Sequence, residues 1–100
     1  MKAIEYYEKY KDRMFGEEPL ETVVKDLLFE FNDETIEIGN SRHVGDGAVL
    51  AVLKEQNQKW NAIDNLFEKK HHSSPLMHNG YIKWWEEALP AVKDAMTKGR

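Results

Sequence analysis

"LETVVKDLLFEFNDETIEI", residues 20–38, is the stretch on which the fold of this chain turns. Leu20, Val24, Leu27, Phe31, Glu34 and Ile38 recur at spacings of four, three, four, three and four. That rhythm returns side chains to one face of an α-helix at every turn, whereas a strand alternates at every second residue. Pro19 stands where helices begin, because the first turn does not use the N–H that proline lacks, and acids follow it closely. A helix is expected from about 19 to 38.

Downstream, "GNSRHVGDG" (39–47) holds three glycines, an asparagine and an aspartate, which is turn chemistry. The helical rhythm resumes over about 46–70, where Val49, Leu53, Gln56, Trp60, Ile63 and Phe67 share a face. Two long apolar stripes joined by a short turn predict an antiparallel helical hairpin. If the chain folds about positions 43 and 44, the numbers of facing residues sum to 87. Leu27 then faces Trp60, Phe31 faces Gln56 and Glu34 faces Leu53.

Upstream, Ala3, Tyr7, Tyr10 and Met14 predict a short helix over about 3–15, stopped by Gly16. Glu5 and Lys9 stand in it as a favourable i,i+4 pair. Past Lys70, "HHSSP" (71–75) breaks the pattern. Asn79-Gly80 signals a turn, and a helix is expected from about Tyr81 to Leu89. Pro90 should end or kink it, with a short amphipathic tail beyond. The expected fold class is all-α, as one helical domain over 1–100.

Composition narrows the function classes. The absence of cysteine excludes disulfides, thiolate nucleophiles and cysteine-containing zinc sites. The first residues lack the apolar core of a signal peptide, and no stretch reaches the length of a membrane span, so the expected compartment is the cytoplasm. A net charge of −4 argues against direct nucleic-acid binding.

The charge is concentrated. From Glu17 to Glu37 there are eight acids against Lys25 alone, a balance of −7. Within that segment Asp26, Glu30, Asp33 and Glu37 are spaced four, three and four. At about 100° per residue they fall within about 60° of one another, beside the apolar seam. Like charges at i,i+4 repel, and a solvated face normally mixes signs. The stripe therefore reads as a candidate surface for a basic protein partner.

Trp84 and Trp85 are a second candidate contact, because adjacent tryptophans on a helix cannot both face the core. Phe29 and Ile36 lie about 160° to 180° from the seam, seven residues apart, and form a candidate homodimer strip.

Catalytic and metal readings find no converging ligand set. His71 and His72 point about 100° apart on a helix, and His78 lies beyond a proline. A site built from Glu68, His72 and His78 is outweighed by a linker that happens to hold histidines. Glu17, Glu18, Glu30 and Asp33 resemble in type the carboxylates of all-α nucleotide pyrophosphohydrolases, which hold Mg²⁺ between paired helices. The opposite helix offers only Glu55, Asp64 and Glu68, widely spaced. No catalytic residue, metal or cofactor is assigned.

"YEKYKDRMFGEEPL", "VLKEQNQKWNAIDNLFEKK" and "NGYIKWWEEALP" together resemble a group of small helical proteins carried by bacteriophages and prophages. That resemblance implies a phage-encoded accessory protein acting in the host cytoplasm, and it carries over no active residue. The expected function is non-enzymatic protein binding through the acidic face. The competing classes are a Mg²⁺-dependent nucleotide hydrolase and an oligomeric structural subunit.

Overall fold

A computed structural model describes residues 1–42, 46–74, 76 and 89–98. Four helices follow in order: α1 (Ala3–Met14), α2 (Leu20–Arg42), α3 (Asp46–His71) and α4 (Leu89–Lys98). No strand occurs among the described residues, so the chain is all-α. The 26 residues of α3, at about 1.5 Å rise each, account for most of the molecule's 42 Å long axis.

α2 and α3 form the antiparallel hairpin, but one helical turn out of the expected register. The Phe31 and Trp60 rings meet at 5.1 Å, inclined by 59°, and the Gln56 side-chain amide donates to the Thr35 hydroxyl at 2.9 Å. The numbers in both pairs sum to 91, not 87. Two causes act together. α2 does not stop at Ile38 but continues through Gly39 to Arg42, which lengthens the face that α3 packs on. The shift also removes the buried Gln56 amide from the Phe31 ring, where it would lack a partner, and gives it a hydroxyl.

Gly39, expected in a turn, is a helix-packing residue. A Cβ at this position would lie 3.1 Å from the Met96 Sδ and Cγ, and closer still to its methyl. The missing side chain is what lets α4 approach α2. Pro90 belongs to α4. It is the second residue of α4 as described, a place in a first turn where proline's fixed φ and missing N–H are tolerated. Val92 and Met96 then bury the inner face of α4. The helix expected from about Tyr81 to Leu89, with Trp84 and Trp85, lies outside the described residues except for Leu89.

α1 lies in the groove of the hairpin, and the adjacent tyrosines 6 and 7 explain how. They point about 100° apart on the helix. Tyr6 meets Phe31 of α2 edge-on at 5.6 Å, and Tyr7 meets Phe67 of α3 at 4.9 Å. Both are buried, and a buried aromatic of this size contributes about 1.5–3 kcal/mol. At the helix start, the Lys2 N–H donates to Glu5 Oε1 at 2.9 Å. Glu5 therefore caps its own helix, and the expected pair with Lys9 does not form.

The end of α3 is also more structured than a solvated linker. His71 stacks on Phe15 at 4.2 Å and shares a 2.8 Å hydrogen bond between its Nε2 and the Tyr7 hydroxyl. His72 has φ 62°, and its N–H bonds to the Glu68 carbonyl at 2.9 Å, a left-handed helix stop. The two histidines thus divide between docking α1 and terminating α3.

Of the expected dimer strip, Ile36 is partly buried against the core, while Phe29 stays 63% exposed. The two side chains therefore differ in how much apolar surface they offer.

Candidate functional site: an acidic helix face

The stripe on α2 is split by the docking of α1. Arg13 bonds to Asp26 Oδ2 at 2.7 Å while also forking onto Glu18 at 2.8 and 2.9 Å. Lys9 pairs with Glu30 at 2.6 Å, and the Tyr10 hydroxyl donates to the other Glu30 oxygen. The lysines and arginines missing from residues 17–37 are supplied by α1, which runs antiparallel to α2 along this edge. Lys9 and Arg13 also lie over the Tyr10 ring, 5.7 and 5.6 Å from its centre.

Glu34, which shares the spacing of the apolar seam, is a junction. It accepts from the Met1 amine, from Gln56 Nε2 at 3.1 Å and from Lys59 at 3.2 Å. Burial raises its proton affinity, but these three donors more than offset that, and its pKa lies below the usual carboxylate value. Glu30 behaves in the same way: burial acts upward, and Lys9 and Tyr10 bring it below its usual value.

Asp33 and Glu37 differ from these. Both are exposed, and among the described residues no cation reaches either. Together with Met1, Tyr6, Glu30 and Glu34 they line a shallow depression of about 320 Å³ on the outer side of α2. Tyr6 reaches it from the core. It is fully buried, and the Glu34 carboxylate is the acceptor beside its hydroxyl. Burial, with Glu34 and Glu30 nearby, pushes its pKa far above the ordinary tyrosine value, so the hydroxyl keeps its proton.

The predicted stripe residues thus separate into two sets. Asp26 and Glu30 are intramolecular anchors, and Asp33 and Glu37 remain open. Tyr6, Tyr10 and Glu34 were not legible as site residues. The only hint was the repeated tyrosine, which a single seam could not use. Of the hydrolase-type carboxylates, Glu18 is bound to Arg13 and Glu30 to Lys9 and Tyr10, while Asp33 is exposed. Among the described residues no group of three or more histidines and acids is placed to hold a metal ion. His78 of the weighed histidine site lies outside them. No described helix is long and apolar enough to cross a membrane.

No family model, curated protein or solved structure matches this chain.

Proposed function

We propose that this protein is a non-enzymatic accessory protein that binds a basic protein surface through the outer part of the α2 acidic face. The carrying observation is that, among the described residues, no cation pairs with Asp33 or Glu37, whereas α1 neutralises Asp26 and Glu30. Two like charges at i,i+4 repel when nothing lies between them, and a partner's cations relieve that repulsion. Phe29 is 63% exposed one turn before Asp33 and offers an apolar contact at the edge of the same surface. The resemblance of the sequence to small phage proteins supports an accessory role in a host cell.

The test is capture from host extract by the wild-type chain and by Asp33→Lys/Glu37→Lys. A partner retained by the wild type, lost with the double variant and released by about 0.5 M salt supports the reading. Equal capture by both chains rejects it.

A further inference from the structure

Near its start α3 turns Val49, Val52 and Leu53 into the core but leaves Leu50 58% exposed. Leucines exposed singly are common on protein surfaces. Leu50 differs because it lines an apolar groove of about 350 Å³ between α3 and α4. Leu53 and Asn57 line the groove from the same helix, and Leu89 lines it from α4.

Both walls repeat one arrangement. A leucine is followed one turn later by a lysine: Leu50 by Lys54 on α3, and Leu89 by Lys93 on α4. The four-residue spacing puts each pair on one helix face. Both lysines are exposed, so the groove has an apolar lining and two cationic edges. Among the described residues no acid pairs with Lys54, whereas Lys9, Lys11, Arg13, Lys25 and Lys59 each hold one.

We infer that this groove docks an acidic amphipathic segment of a protein partner, with its apolar side chains on Leu50, Leu53 and Leu89 and its carboxylates on Lys54 and Lys93. The surface is separate from the acidic face proposed above. No residue of α2 lines it, and its cations call for a partner of the opposite sign. A cleft between two helices with apolar walls is a geometry in which a partner helix lays down its own apolar face. A small amphiphile fits less well. The groove is open to solvent, whereas small-molecule sites bury about 70–90% of their ligand.

The experiment is an NMR titration of the isotope-labelled full chain with an acetylated, amidated peptide that repeats Glu-Leu-Leu-Glu. The expected result is saturable shifts at Leu50, Leu53 and Leu89, with contacts between peptide leucine methyls and Leu50. A Glu-Ser-Ser-Glu repeat should leave these signals unmoved, because it brings no apolar side chain. Lys54→Glu should weaken the leucine peptide about fivefold or more, and Leu50→Ser should remove its binding. Both positions are exposed, so neither change disturbs the core. Shifts that persist unchanged in both variants overturn the proposal. Equal binding of a Lys-Leu-Leu-Lys repeat in the groove overturns the role of the lysines. Displacement of the peptide by decanoate below its micellar concentration overturns the protein segment in favour of a small amphiphile. Contacts to Leu50 from another part of this chain, or from a second copy, in the peptide-free protein overturn it as well.

Discussion

The Gln56 amide of α3 donates to the Thr35 hydroxyl of α2 at 2.9 Å, and that hydroxyl in turn donates to the Phe31 carbonyl at 2.8 Å. Both side chains are buried, so this chain of bonds sets the hairpin register from inside the core. Sliding α3 by one turn strands the Gln56 amide against apolar groups. Gln56→Leu leaves the Thr35 hydroxyl bonded to its own helix, whereas Thr35→Val leaves the Gln56 amide with Glu34 alone. Thr35→Val is therefore expected to cost about 1–3 kcal/mol in urea unfolding. The double variant should recover part of that loss, because both polar groups are then gone. Strict additivity would argue against coupling.

Stability should decline in acid for a stated reason. Glu30 and Glu34 have folded pKa values below their ordinary ones. Such groups add stability that is fully present above the unfolded carboxylate value, about 4.3. The contribution is lost as pH falls through the lower folded values. The urea midpoint should therefore be flat near neutrality and fall below about pH 4.5. Glu34→Gln should show a shallower fall, with its deficit against wild type shrinking toward pH 2. A deficit independent of pH would remove the ionised Glu34 from the account.

Tyr10→Phe tests whether α1 is docked through the acidic face. Tyr10 is 4% exposed, and its hydroxyl donates to the Glu30 carboxylate. Hydrogen bonds to charged groups contribute about 1.5–3 kcal/mol, so a loss in the lower half of that range is expected. Amide exchange should rise across α1 before it rises in α2 and α3. Uniform acceleration in all helices would show that α1 does not open separately.

Gly39→Val should push α4 off α2. The new Cβ meets the Met96 side chain, and overpacking of this kind typically costs about 1–3 kcal/mol. Met96→Ala also destabilises by leaving a cavity, yet in the double variant the two changes should partly cancel. Thermal unfolding of the four chains in the cycle measures this. Gly39→Ala is a milder case, since helix propensity gains up to about 1 kcal/mol while the Met96 methyl must move.

Self-association through Phe29 and Ile36 would draw on an exposed Phe29 and on only the part of Ile36 that the core leaves uncovered. Phe29 alone is small against the roughly 800 Å² per partner of a standard interface. Sedimentation equilibrium across a concentration series is expected to give a single 11.7 kDa species. A dimer dispersed by Phe29→Asp would restore the two-fold arrangement.

The sequence by itself determined that this chain is helical and which faces of its helices are apolar. Val24, Leu27, Phe31, Trp60, Ile63 and Phe67 are buried as their spacing requires, because a period of 3.6 residues is a local property that each segment carries alone. What only the tertiary structure decided is how those faces meet. Hairpin register depends on where buried polar groups find partners, so Thr35 and Gln56 outweighed the turn signal at Gly39. The neutralisation of Asp26 and Glu30 depends on bases 13 and 21 residues earlier in the chain, which no helical period can connect. The glycine at 39 reads as a breaker in isolation and as a contact once Met96 is beside it. Periodicity reports each helix's environment as apolar or wet. Which neighbour supplies it is a non-local choice, made by packing and by satisfying each polar atom removed from water.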